Sequence, residues 1–162
     1  MQMRNLIKEK IAANGYAVGA FVASSSATNC EILAMNGYDF VIIDCEHAQT
    51  DSETAVNMFR ACEMYGMAPM VRVYNPYDGP MMSRLLDVGA HGIMVPLVND
   101  APQAKNIVDN TKYAPVGRRG ANGGRGPRWG AYDDYVKVCN DNTLTFVQCE
   151  SIEGVNNIEE IA

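Results

Sequence analysis

The sequence predicts an α/β fold built on a parallel sheet, and three observations point to it. Short apolar runs alternate with segments of helical period. The runs are apolar through their length and bounded by Gly, Pro, Asp or Asn, as strands buried on both faces are. They recur at intervals of roughly 25 residues, room for one crossover helix each, which implies right-handed connections and parallel neighbours.

Taken in order, Val18–Val22, Phe40–Asp44, Met70–Val73, Gly92–Val95 and Leu144–Cys149 read as strands. The clearest helix begins at Thr50, where Thr50-x-x-Glu53 has the spacing of a capping box. Ala55, Met58, Phe59 and Cys62 then form one apolar stripe, and the helix ends near Gly66. A second helix runs from about Gly79 to Val88, with Asp78 as N-cap and Gly89 just past its end. A third covers Ala101 to Thr111. The spacing breaks once, between the fourth and fifth strands. There the chain carries a glycine- and arginine-rich loop from Gly117 to Trp129, followed by a helix from about Ala131 to Cys139. Five parallel strands fit either an open doubly wound sheet or part of an eight-stranded barrel, and periodicity alone does not separate the two.

Composition narrows the function classes. A 162-residue chain with 48% hydrophobic and 20% charged residues can bury a core as one domain, residues 1–162. A formal net charge of -6 argues against a broad nucleic-acid or anionic-membrane surface. The five cysteines are Cys30, Cys45, Cys62, Cys139 and Cys149; their odd number and spacing read as free thiols in a reducing compartment. The N-terminus lacks the apolar run of a signal peptide, and no segment is long and apolar enough to span a membrane. A cytoplasmic protein is expected.

Chemistry in parallel α/β folds collects at the carboxyl ends of the strands. The second strand ends in Asp44-Cys-Glu-His47, the third carries Arg72, and the fifth ends in Gln148-Cys-Glu150. Alternation puts Leu144, Phe146, Gln148 and Glu150 on one face, an apolar base leading to a polar rim. Thr145, Val147 and Cys149 face the other way, toward helices. Charges entering a barrel are costly unless paired or bound to metal, so a structural ion-pair ring and a functional site are the two readings. As a site, Asp44 and His47 could form a carboxylate–imidazole pair in which the aspartate fixes the tautomer of the base. Arg72 offers a fork for a carboxylate or a developing oxyanion. Glu150 is an oxygen ligand suited to a hard divalent ion. His91, where a helix enters the fourth strand, lies at the opposite end and reads as structural.

These same segments carry a resemblance. Asp39-Phe-Val-Ile-Ile-Asp44-Cys-Glu-His47-Ala-Gln-Thr-Asp51 resembles the strand-two signature of the HpcH/HpaI aldolase family, the class II pyruvate aldolases. In the same order follow Val71-Arg72-Val, Leu85-Leu-Asp-Val-Gly-Ala-His-Gly-Ile-Met-Val-Pro96, Tyr113-Ala-Pro-Val-Gly117-Arg-Arg119-Gly120, Arg128-Trp-Gly-Ala-Tyr132 and Val147-Gln148-Cys-Glu150. The resemblance implies a (β/α)₈ barrel, of which this chain covers about the first five βα units. It implies a metal-dependent lyase that cleaves or forms 4-hydroxy-2-oxo acids through an enolate, giving pyruvate or a related 2-oxo acid and an aldehyde. By position, Glu150 matches a metal ligand for Mg²⁺, Mn²⁺ or Co²⁺, and Gln148 a substrate-binding neighbour. Arg72 matches the arginine that holds the pyruvate oxygens, and His47 with Asp44 matches the catalytic dyad. A homo-oligomer, a hexamer built from trimers, is implied as well. The family's second metal-ligating aspartate is expected beyond Ala162, and the 162 residues alone are expected to show little or no aldolase activity.

Rival readings remain. A Schiff-base aldolase needs a lysine at a strand end, whereas Lys8, Lys10, Lys105, Lys112 and Lys137 all fall on helices or loops. The Gly117–Gly126 loop could form an anion-binding nest in a phosphate- or carboxylate-handling barrel enzyme, although it follows a helix and lacks a P-loop ending. Covering the site mouth, or reaching a neighbouring subunit, is the expected role of that loop. Arg118 to Arg128 has a faint likeness to an RNA-binding RGG segment, with only Trp129 and Tyr132 as nearby aromatics. A non-catalytic barrel fragment is the structural alternative.

Overall fold

A computed structural model describes residues 2–162. The elements are α1 (Leu6–Asn14), β1 (Gly19–Val22), α2 (Ala27–Met35), β2 (Phe40–Asp44), α3 (Ser52–Met64), β3 (Ala68–Arg72) and α4 (Gly79–Asp87). They continue with β4 (Gly92–Val95), α5 (Ala101–Thr111), α6 (Tyr135–Asn142), β5 (Leu144–Val147), α7 (Ile152–Asn156) and α8 (Ile158–Ile161). The strands form one sheet in the order β1-β2-β3-β4-β5, every neighbouring pair parallel. A doubly wound sheet reverses its strand order at a switch point. No reversal occurs among these strands, so the winding is that of a barrel.

Two apolar layers follow from the alternation along each strand. Val41, Ile43, Val71, Ile93 and Val95 face outward and pack with Cys30, Met58, Phe59, Cys62, Leu85 and Ile107 of the surrounding helices. Ile42, Ala68 and Met70 face inward with Phe40, Met94 and Leu144, and α1 brings Leu6 and Ile7 onto this inner cluster. Gly19 leaves the space that the Phe40 ring occupies; a Cβ there would overlap that ring. On β5, Thr145 bonds the Thr111 hydroxyl of α5 while Leu144 joins the inner cluster, the parity the sequence predicts.

Three expectations need correction. The cap of α3 is Asp51, whose Oδ1 accepts the Thr54 N–H at 2.8 Å, and the helix starts at Ser52. Thr50, one residue too early, is buried and shares a hydrogen bond with Ser25. The helix expected from Ala131 begins at Tyr135 instead. Arg128, Trp129, Gly130 and Asp134 all adopt left-handed backbone there, so a series of turns occupies the first part of that span. Finally, the glycine–arginine loop does not cover the mouth of this chain's own site. An α-to-β connection must return to the amino ends of the strands, and that is where the loop packs. Arg119 pairs with Asp87 at the end of α4, and Arg125 and Arg128 both pair with Glu63 near the end of α3. His91 lies at the same end, its Nδ1 buried, with burial depressing its pKa.

Candidate active site

At the carboxyl ends of β2 and β3 the register sets Asp44 directly beside Arg72. Both side chains point to the inner face, since they share parity with Ile42 and Met70. Their contact is bidentate: Arg72 Nε donates to Asp44 Oδ1 at 3.0 Å and Nη2 to Oδ2 at 2.9 Å. Asp44 Oδ1 also accepts the backbone N–H of Glu46 at 3.0 Å and that of His47 at 3.5 Å. Burial works to raise the Asp44 pKa. The Arg72 guanidinium and the two backbone N–H groups outweigh it and hold the carboxyl below its ordinary value.

This arrangement differs from a carboxylate–imidazole pair between Asp44 and His47. The Asp44 oxygens are committed to Arg72 and to backbone, and only the His47 main chain reaches them. The imidazole instead stands at the mouth, its side chain 72% exposed, with Nε2 3.6 Å from Glu46 Oε2. That same Glu46 oxygen lies 3.0 Å from Arg72 Nη1. Glu46 is the residue that sequence reasoning passed over. It stands in the quoted strand end, two residues past Asp44, and its side chain is only 12% exposed. Phe21 of β1 completes the surroundings, with the Arg72 guanidinium carbon 5.0 Å from its ring centroid.

Gln148 and Glu150 come from the segment that follows β5. Gln148 Nε2 donates to Glu150 Oε2 at 3.3 Å, and the Leu97 N–H donates to Glu150 Oε1 at 2.9 Å. Leu97 holds a left-handed backbone, φ 55°, as the chain leaves β4. Gln148 Oε1 is buried without a hydrogen-bond partner among the described residues. The charge of Glu150 is felt at Arg72 along with those of Asp44 and Glu46. Three carboxylates thus face one guanidinium, an excess of negative charge that a divalent cation would neutralise. Among the described residues, no three His, Cys, Asp or Glu side chains converge as a metal site by themselves. The oxygens present nevertheless fit a hard ion that draws further ligands from water or substrate. Glu150 offers a carboxylate, and Gln148 Oε1 is an amide oxygen with its hydrogen-bonding capacity unused.

Known proteins share this fold. Residues 17–162 match the family model described as HpcH/HpaI aldolase/citrate lyase. The 2-keto-3-deoxy-L-rhamnonate aldolase of Escherichia coli (strain K12) is 34% identical over 163 aligned residues, covering 98% of this chain and 60% of that protein. The chain therefore spans about three fifths of the length of this curated relative. Among solved structures, the HpcH/HpaI aldolase of Desulfitobacterium hafniense DCB-2 superposes with a TM-score of 0.89 at 29% identity, over 98% of this chain and 61% of that one. A family protein from Burkholderia cenocepacia J2315 gives 0.87 at 30% identity, covering 97% and 64%. The consecutive βα units are accordingly part of a (β/α)₈ barrel. With a family match that runs almost the length of the chain and a sheet wound in the same way as these solved relatives, the chain belongs to the HpcH/HpaI aldolase/citrate lyase family.

Proposed function

We propose that the protein carrying this chain is a metal-dependent carbon–carbon lyase acting on 4-hydroxy-2-oxo acids, with pyruvate or a close 2-oxo acid and an aldehyde as its other substrates or products. The observation that carries the reading is the convergence of Arg72, His47, Gln148 and Glu150 at the carboxyl ends of the strands in a member of this family. The aldolase named among its relatives acts on a 2-keto-3-deoxy sugar acid, which agrees with this substrate class.

Arg72 keeps guanidinium N–H groups beyond those given to Asp44 and Glu46, and these can bind a carboxylate or the oxygen on which negative charge develops. Because Asp44 fixes the fork by two parallel bonds, that charge is met without reorganisation. His47, exposed at the mouth, can take the proton from the 4-hydroxyl as the C3–C4 bond breaks, and return it in the direction of synthesis. Glu150 and Gln148 would hold a divalent ion, which when bound supplies Lewis acidity toward the 2-oxo acid. Mg²⁺, Mn²⁺ and Co²⁺ all suit this oxygen donor set. The reading also carries assembly as a homo-oligomer.

The test is proton exchange. Pyruvate in D₂O should lose its methyl proton signal when the whole protein that carries this chain and Mg²⁺ or Mn²⁺ are both present, and EDTA should stop the loss. Exchange that survives EDTA, together with a covalent adduct trapped by borohydride, would replace this reading with Schiff-base chemistry.

A further inference from the structure

We propose that Glu46 is a positioning residue of this site, holding the Arg72 guanidinium in one orientation and linking it to His47. The inference rests on the reading of Arg72 as the group that binds the 2-oxo acid. Its physical basis is the closed ring of contacts at the end of β2. Asp44 occupies one edge of the guanidinium through Nε and Nη2, leaving Nη1 as the corner that Asp44 does not reach. Glu46 Oε2 occupies that corner at 3.0 Å, and the same oxygen is 3.6 Å from His47 Nε2. The Glu46 main chain is tied in turn to Asp44 Oδ1. Phe21 lies against the guanidinium face. One carboxylate therefore touches both the proposed oxyanion-binding group and the proposed base.

Side-chain exposure supports the assignment. A carboxylate only 12% exposed is costly unless its charge is met, and Arg72 at 15% exposure meets it. Asp44 alone would satisfy the guanidinium as an ion pair. A second carboxylate on the same group gains little stability, since the two acids repel, but it anchors the far corner of a rigid planar fork that Asp44 holds along one edge only. The fork is then held against tilting, and the N–H groups left on Nη1 and Nη2 keep one place relative to a bound oxygen. Preorganisation of that kind raises the rate of a step in which charge appears on a bound oxygen.

The test compares the whole wild-type protein that carries this chain with its Glu46→Gln variant, which keeps the shape and removes the charge. At saturating pyruvate and Mg²⁺, methyl proton exchange in D₂O should fall about tenfold or more, because the charge-assisted contact is lost. The Mn²⁺ dissociation constant and the melting temperature should stay close to wild type. Separately, ¹⁵N relaxation of the Arg72 Nε–H should show larger side-chain motion in Glu46→Gln than in wild type, because Asp44 then holds the fork along one edge only. Unchanged exchange in Glu46→Gln overturns the proposal. So does a loss of exchange in step with metal affinity and melting temperature, which would mark a merely structural acid. If the whole protein that carries this chain exchanges no protons in its wild-type form, the aldolase reading fails by that result. The Arg72 relaxation data then decide the positioning claim alone: it stands if the Nε–H motion grows in Glu46→Gln and falls if it does not.

Discussion

Replacing Asp44 with alanine tests the centre of the site through stability rather than activity. Asp44 is 4% exposed and holds Arg72 by two hydrogen bonds, with two backbone N–H groups on the same carboxylate. Removing one partner of a buried ion pair costs about 3–5 kcal/mol, because the other charge is left uncompensated. Glu46 remains on Nη1, so Asp44→Ala should sit at the low end, about 3 kcal/mol. In a chain of this size that corresponds to a melting temperature lower by roughly 6–12 °C. Urea unfolding followed by circular dichroism measures it. Adding Glu46→Gln to Asp44→Ala should destabilise further, since the buried guanidinium then loses both of its carboxylates. The pH dependence has a definite sign. The folded carboxyl has a pKa below its unfolded value of about 3.9, so its stabilisation is complete above that value. It is lost as pH falls through the lower, folded pKa, and Asp44→Asn should flatten that part of the profile. A cost under about 1 kcal/mol for Asp44→Ala, or a double variant no worse than the single, would refute the account of Asp44 as the main partner of a buried Arg72.

Other outcomes follow from the packing. Asp51→Ala should cost about 1 kcal/mol and expose the Thr54 amide to hydrogen exchange, whereas Thr50→Val should leave that amide protected. Gly117→Ala should destabilise by about 2 kcal/mol or more in the same urea assay. The added Cβ would overlap the carbonyl oxygens of Lys112 and Val108, backbone atoms that cannot swing aside. In the native state an aromatic disulfide reagent should label Cys149 first, since it alone of the five thiols is not buried. Cys45 should be among the slow ones, because burial, with Asp44 nearby, pushes its thiol up to about 11.

Among the described residues, no helix is long and apolar enough to cross a membrane, in line with the short apolar runs of the sequence. The sequence by itself determined the alternation of strand and helix and the parity along β5. Both are local: strand alternation and helical period act on neighbouring residues, and a single chain carries them in full. It also determined which residues stand at strand ends, hence the placing of Asp44, Arg72, Gln148 and Glu150. Boundaries were less legible. Whether Thr50 or Asp51 caps α3 depends on a hydroxyl bond to Ser25, 25 residues away along the chain. The partners of the charged groups were not legible at all. Asp44 and His47 are three residues apart in sequence, and proximity along the chain suggested a pair. The parallel register between β2 and β3 instead brought Arg72, 28 residues distant, into bidentate contact and turned the imidazole outward toward Glu46. Likewise the arginines of the Gly117–Trp129 loop had no visible partners until the fold returned that loop to the amino ends of the strands, beside Glu63 and Asp87. Ion pairs are made across strands and between layers, and only the tertiary structure decides which charges meet there.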